Sequence, residues 1–468
     1  MDGRICPGSE MKPVKWNIDL LVHMTAKQDP IMKSTLQSFR TLRNVPWDPV
    51  SILALVDRDP QMPKIVLDRR ESLGWSFIPW VIDSVVESDG LDPCHSMENI
   101  LRKIRIPSDP GTSTQPGIVP PFQRGHVILV PFEWGEQFEP SLGPHSSRGI
   151  PLILAHCREI ISYHHPSRTL FLPPDCPYQP SPKQVPARRK ALKPIILEPS
   201  LPPGEYALRV ERIQDAIGRG DYFQLNFAMT FDGFVEGTVN FPELYESLSR
   251  VNPSPGMGFF SWGSLTVVSN SPERLATIRH GKIITTPIAG TFPITPGETD
   301  PTSRFLSDPK EKAEHIMTVD LLRNDLGRIC LPGTIELPRL LAVERYAHLY
   351  HMVSDIRGSL RPSLSAWDLL DAIFPGGSVT GAPKRAVRKE IGLLEGKPRR
   401  YYCGSLGFLD DTGFWDLNLL IRTLFINGNR LSLPVGSGIV SDSDPRREFR
   451  EIQAKARTFL ERLGSSHD

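Results

Sequence analysis

Most of the 46 prolines in this 468-residue chain fall before residue 205, and that distribution limits what the first part can build. Proline fixes φ and donates no backbone hydrogen bond. The stretches 106–121 and 173–203 therefore read as loops or linkers between short strands such as Val127-Ile-Leu-Val130 and Pro151-Leu-Ile-Leu154. The texture then changes. Residues 206–219 show helical apolar spacing and stop at Gly220, while Leu265-Thr-Val-Val268 and Lys282-Ile-Ile-Thr285 read as strands. Residues 206–465 alternate helices and strands without a linker-like break, so two regions are expected, 1–204 and 205–465.

A chain this long exceeds what one hydrophobic core usually serves. Its hydrophobic and charged fractions, 39% and 23%, are ordinary for a globular enzyme. A net charge of +1 offers no footprint for nucleic acid. Six cysteines (Cys6, Cys94, Cys157, Cys176, Cys330, Cys403) are scattered without a Cys-x-x-Cys, which suits reduced thiols in the cytosol. Met1-Asp-Gly-Arg-Ile-Cys-Pro7 lacks the apolar core of a secretion signal, and no apolar run approaches membrane-spanning length. A cytoplasmic protein with no membrane partner is expected.

Two segments open alike. Ser307-Asp-Pro309 and Ser443-Asp-Pro445 each offer an aspartate N-cap followed by proline in the first turn. The first adds a capping box, Asp308 with Glu311. Each helix then carries a Glu-x-x-Glu pair, Glu311 with Glu314 and Glu448 with Glu451. At about 100° per residue, Glu448, Glu451 and Lys455 span an arc of roughly 60°. That arc borders the apolar stripe Phe449, Ile452, Ala456, Phe459 and Leu460, at the rim of a buried face where charges need partners. Solvated pairs such as Glu451–Lys455 explain this pattern. So does a Mg²⁺ ion held by one glutamate from each helix, with water and substrate oxygens completing its shell.

Common templates fail. In Phe374-Pro-Gly-Gly-Ser-Val-Thr-Gly-Ala-Pro-Lys384, Ala382 and Pro383 separate the last glycine from the lysine, so it is no Walker A loop. Asp442-Ser-Asp444 lacks the central glycine of an EF-hand. No Gly-x-Ser-x-Gly or Gly-x-Cys-x-Gly elbow exists, so no hydrolase or glutaminase nucleophile is visible. His351 lies among apolar residues, where a lone histidine is more often a hydrogen-bonded core group than a catalyst. Arg422, inside the apolar run 417–425, reads as a guanidinium in a buried strand. It must pair with a ligand carboxylate or an internal acid.

Ser271-Pro-Glu-Arg274, Pro287-Ile-Ala-Gly-Thr291, Val319-Asp-Leu-Leu-Arg-Asn-Asp-Leu-Gly-Arg328, the 374–384 motif, Ile421-Arg-Thr423 and Gly436-Ser-Gly-Ile-Val-Ser-Asp-Ser-Asp444 occur in one order. That order, across about 205–462, resembles the chorismate-binding enzymes: component I of anthranilate synthase and of aminodeoxychorismate synthase, and the isochorismate and salicylate synthases. Pro131-Phe-Glu-Trp-Gly-Glu136 extends it loosely toward the N-terminus. The resemblance implies an α+β, anthranilate synthase component I-like fold, two stacked and mainly antiparallel sheet layers wrapped by helices. It implies Mg²⁺ on Glu314 and Glu451, and chorismate held by Tyr402, Arg422, Lys455, Gln224, Thr380 and the backbones of Gly290, Thr291, Gly436, Ser437 and Gly438. Glu273 would be the acid that protonates the departing hydroxyl, and His351 an orienting or proton-transfer group.

Water-using relatives carry a lysine base where this chain has Gln224, in Gly220-Asp-Tyr-Phe-Gln-Leu-Asn226, so ammonia is the implied nucleophile. The motifs Ser271–Arg274, 374–384 and Cys403-Gly-Ser-Leu-Gly407 resemble aminodeoxychorismate synthase, which aminates C4. Ala289 and Glu344-Arg-Tyr346 resemble anthranilate synthase, which aminates C2; many aminodeoxychorismate synthases place a covalently acting lysine at the position of Ala289. The tryptophan feedback elements of anthranilate synthase would fall at Leu67-Asp68-Arg69 and Asn252-Pro-Ser-Pro-Gly-Met257, both altered. Aminodeoxychorismate synthesis, with ammonia from a separate glutamine amidotransferase subunit, is the implied activity; anthranilate synthesis is the alternative. Isochorismate or salicylate synthesis ranks third, and a degenerate homologue acting as a scaffold last.

Overall fold

A computed structural model describes residues 39–56, 61–88, 93–107, 118–138, 150–180, 195–237, 239–293, 309–345 and 349–465. Its strands pair antiparallel in two runs. The first run is Arg40–Arg43, Thr169–Leu172, Ile153–His164, Trp75–Glu87, Lys64–Arg69, Gly256–Trp262, Leu265–Ser271, Thr423–Asn427, Arg430–Ile439 and Gln224–Phe234. The second is Gly125–Val130, Ser405–Asp410, Trp415–Asn418, Arg274–Arg279, Lys282–Thr286 and Leu349–Ser359, the last flanked by Ile288–Pro293 and Glu336–Arg345. Gly125–Val130 also pairs with Ile153–His164, so the two runs join at that strand.

The runs stack face to face because their inward residues are large and apolar. Phe77 of the first meets Phe408 of the second edge-on at 5.4 Å, and Phe122 stacks on Phe408 at 4.6 Å. Such a core excludes water, so a polar group inside it needs a partner. Arg69 Nε donates to Asp416 Oδ1 at 2.5 Å and its Nη1 to the Met257 carbonyl at 2.6 Å, linking the layers. Asp416 Oδ2 in turn accepts from Thr277 at 2.8 Å.

Helices cover the outer faces. Pro203–Gly218 packs against Pro445–Leu463, and Lys384–Glu395 against Gln224–Phe234. Pro309–Gly327 lies on Leu349–Ser359 and on the 3₁₀ turn Gly377–Val379. Asp444 caps its helix, accepting from Arg446 N and Arg447 N at 2.8 Å each. The capping box at Asp308 and Glu311 lies outside the residues described to side-chain detail. Among the described residues no helix is long and apolar enough to cross a membrane.

The apolar run 417–425 departs from the single buried strand expected of it. Trp415–Asn418 and Thr423–Asn427 are separate strands, and Arg422 stands before the second at φ +46°. A non-glycine residue in the left-handed region carries strain that the surroundings must hold. The turn releases Arg422 from the pleat and leaves it half-buried.

Candidate active site

Glu273 sits in the bend between Leu265–Ser271 and Arg274–Arg279. The bend is held by Ser271, whose hydroxyl accepts from Glu273 N at 3.2 Å, and by Leu419 N, which donates to the Glu273 carbonyl at 3.1 Å. The carboxyl is buried, 6% exposed, and its Oε1 accepts a hydrogen bond from Ser378 Oγ at 2.7 Å. Burial pushes its pKa up to about 7, against the opposing pull of the Ser378 hydrogen bond and the Lys455 charge. A carboxylic acid poised there can hold a proton at neutral pH and give it up.

Ser378 belongs to the 3₁₀ turn Gly377–Val379, and a side chain on either neighbouring glycine would crowd a leucine. A Cβ on Gly377 would meet Leu321 Cδ2 at 2.6 Å, and one on Gly376 would meet Leu419 Cδ2 at 2.9 Å. The Thr380 hydroxyl donates to the Gly376 carbonyl at 2.9 Å, so this residue closes the turn. Lys384 Nζ pairs with Asp325 Oδ2 at 2.6 Å. Burial pushes Asp325 up and Lys384 down while their attraction opposes both shifts. The motif's lysine thus ties its loop to the helix Pro309–Gly327.

His351 lies on Leu349–Ser359, 2% exposed, and its Nδ1 donates to the Gly290 carbonyl at 3.2 Å. Burial first, then the charge of Arg422, lowers its pKa to about 4, so the imidazole is neutral at physiological pH. Gly290 has φ +60° in a bulge where Thr291 pairs with His351. The Thr291 side chain lies outside the described residues. Burial lowers the Arg422 pKa and the Glu451 charge raises it. Lys455 Nζ pairs with Glu451 Oε1 at 2.6 Å and donates to the Gly436 carbonyl at 3.0 Å. The i,i+4 pair expected on the helix is therefore present, and its lysine also reaches the Gly436–Gly438 segment. Mutual electrostatic influence gathers Glu273, His351, Arg422, Glu451 and Lys455 around one place.

Gly436 and Gly438 share one face of the strand Arg430–Ile439, and Ser437 the other, where its hydroxyl meets Tyr206 OH at 3.2 Å. A Cβ on Gly436 would lie 2.7 Å from Asn226 Oδ1 and 2.9 Å from Tyr402 OH; one on Gly438 would collide with Gln224 Nε2. Tyr402 and Gln224 are thereby brought to the glycine segment. Beneath them runs a tie that sequence reading missed. Arg399 Nη1 donates to the Val379 carbonyl and Nη2 to the Asn226 carbonyl, both at 2.7 Å, while its guanidinium lies over the Tyr402 ring at 5.6 Å. Glu395, the last residue of the helix Lys384–Glu395, pairs with Arg399 beyond its end at 2.6 Å. Gly396 and Pro398 end the helix between the two, so local spacing gave no signal for this pair.

Glu314 stands on Pro309–Gly327, beside His315, whose Nε2 meets Ser354 Oγ at 2.7 Å. Among the described residues no group of three or more His, Cys, Asp or Glu could hold a metal. Two carboxylates with water and substrate oxygens are nonetheless a donor set suited to Mg²⁺.

A fold of stacked antiparallel layers, carrying a buried acid, a neutral histidine and three further charges around a glycine strand, defines a class of enzyme sites for small anions. The family model of the chorismate binding enzymes matches residues 70–461, and the chain belongs to that family. It is 33% identical over 391 residues to aminodeoxychorismate synthase component 1 of Salmonella typhimurium, covering 80% of this chain and 82% of the relative. It is 42% identical over 264 residues to an anthranilate synthase component I-like protein of Synechocystis, covering 55% of this chain and 54% of that one. The chain thus spans about half the length of the first curated relatives it matches. Among solved structures it is similar to anthranilate synthase component I of Streptococcus pneumoniae, with TM-score 0.66 and 26% identity over 97% of this chain and all of that one.

Proposed function

We propose that the chain is a chorismate-aminating enzyme, component I of an aminodeoxychorismate synthase, acting in the cytoplasm. Ammonia would come from a separate glutamine amidotransferase subunit, and the product would be 4-amino-4-deoxychorismate, on the way to 4-aminobenzoate and folate. The observation that carries the reading is Glu273, a buried carboxyl hydrogen-bonded by Ser378 at 2.7 Å and raised to about 7 by burial. The 33% identity along 82% of the Salmonella aminodeoxychorismate synthase component 1 supports this reading.

Glu314 and Glu451 would hold Mg²⁺, which when bound neutralises the substrate's carboxylate charge and fixes the ring. Arg422 and Lys455 supply positive charge for the anionic substrate. Tyr402, Gln224 and the Gly436–Gly438 and Gly290–Thr291 backbones line its place, and neutral His351 orients the ring. The ammonia lone pair forms the new C–N bond as the ring C–O bond breaks. Glu273 gives its proton to the departing hydroxyl, which leaves as water, and the new ammonium returns a proton to the Glu273 carboxylate. Chorismate and ammonia become aminodeoxychorismate and water.

Ala289 favours a second reading, anthranilate synthesis. Its methyl packs against Tyr350 and Met352, so this position supplies no amine for a covalent route. Mass spectrometry of the products from purified chain, chorismate, Mg²⁺ and ammonium decides. A non-aromatic amino product that keeps its enolpyruvyl group, converted to 4-aminobenzoate by an added lyase, supports the first reading, with no adduct at residue 289. Anthranilate with pyruvate supports the second.

A further inference from the structure

Asn226 has no role in the site described above, yet it is placed inside it. It lies on Gln224–Phe234 two residues from Gln224, so the two amide side chains project from the same face of the strand. Their seats are the two glycines of the neighbouring strand. Gln224 Nε2 packs over Gly438, and Asn226 Oδ1 lies 2.7 Å from where a Cβ of Gly436 would be. The Gly436 carbonyl is the one that Lys455 grips at 3.0 Å, so Asn226 abuts the residue that anchors the site's lysine. The backbone at Asn226 is also fixed, its carbonyl accepting from Arg399 and its N–H donating to Thr380 O at 2.8 Å. Its Oδ1 is buried with no hydrogen-bond donor among the described residues. A buried amide oxygen left unmet is destabilising, so such a group normally has a partner.

We propose that Asn226 Oδ1 holds the ammonia nucleophile by accepting one of its N–H bonds. The inference rests on the ammonia reading above and deepens it. A neutral amide oxygen suits this task. It orients ammonia through an N–H and cannot take a proton from it, so the lone pair stays available for the ring carbon. A carboxylate there would instead favour ammonium, which has no lone pair to give. Gly436 is glycine, in this view, because the holding group must reach past its Cα.

Steady-state kinetics of the full chain with Mg²⁺, chorismate and varied ammonium chloride test this on Asn226→Ala and Asn226→Asp. The alanine variant should raise the KM for ammonium at least tenfold and leave the KM for chorismate within about threefold. The aspartate variant keeps shape and acceptor but prefers ammonium, so its activity should need higher pH than the parent; it also covers the case in which the alanine variant fails to fold. An unchanged KM for ammonium with a lower kcat, or an unshifted pH profile for the aspartate variant, overturns the assignment and leaves Asn226 as packing. A parent enzyme that forms no amino product from ammonium refutes the ammonia reading itself, and Asn226's role with it.

Discussion

Ser378 reaches 2.7 Å from Glu273 Oε1 across 105 residues of chain, coupling a glycine-rich turn to a buried acid. Because a hydroxyl donor favours the ionised carboxyl, the contact restrains a pKa that burial alone would drive higher. In Ser378→Ala the alkaline limb of the kcat/KM profile should therefore move to higher pH. The loss in kcat should be about tenfold or more, short of the ~10²–10⁴ associated with losing a general acid outright. A limb that stays in place would show that another group sets it.

Glu273 should also cost stability. Its folded pKa, about 7, lies above the ordinary 4.5, so the folded chain binds more protons between those values and stability falls as pH rises through them. Glu273→Gln should abolish turnover yet melt later than the parent at pH 8, by up to about 3 kcal/mol for a shift of this size. The gain should vanish below about pH 4.5, where both forms of the parent are protonated. Thermal melts at the two pH values decide.

Lys384, for all its place in a glycine-rich motif, should act on stability and leave substrate affinity alone. Removing one member of a buried ion pair strands the other, at about 3–5 kcal/mol. Lys384→Met should unfold early in urea, and adding Asp325→Asn should recover much of the loss. A raised chorismate KM in the double variant, with its fold restored, would give the lysine a role in binding.

Gly436→Ala should keep the fold but lose substrate, because its methyl would press on Asn226 Oδ1, Tyr402 OH and the Phe227 carbonyl at 2.7, 2.9 and 3.0 Å. Strain of this kind costs about 1–3 kcal/mol. Chorismate binding in the presence of Mg²⁺ should weaken at least tenfold while the melting temperature drops only modestly.

Tryptophan should not regulate this chain. Asp68, in the altered feedback element, already accepts from Arg70 at 2.7 and 3.0 Å, from Ser76 at 2.8 Å and from Tyr245 at 3.2 Å. With Arg70 and Tyr245 turned onto this carboxylate, the cluster meets its own polar needs. Millimolar tryptophan should change neither the rate nor the melting temperature; a clear shift in either would show that the site persists.

The family, the order of its motifs and the helices opened by Asp-Pro were legible in the residues, because capping, glycine stops and apolar periodicity are local rules that a sequence states directly. The strands Leu265–Ser271 and Lys282–Thr286 and the helix Pro203–Gly218 follow from that local patterning. Roles that depend on which distant group arrives were not legible. Arg422 read as part of a strand because its neighbours are apolar, but it stands in a turn at φ +46° that only the surrounding layers can hold. Lys384 could have faced a substrate or an acid; the packing of Pro309–Gly327 brought it Asp325. Ser378, Arg399 and Asn226 acquire meaning only from partners 105, 20 and more than 200 residues away. The sequence by itself determined the elements and the chemical types available. The tertiary structure decided which of those groups are buried together, since burial and Coulomb interaction, the forces that set Glu273 to about 7 and His351 to about 4, depend on distance in space.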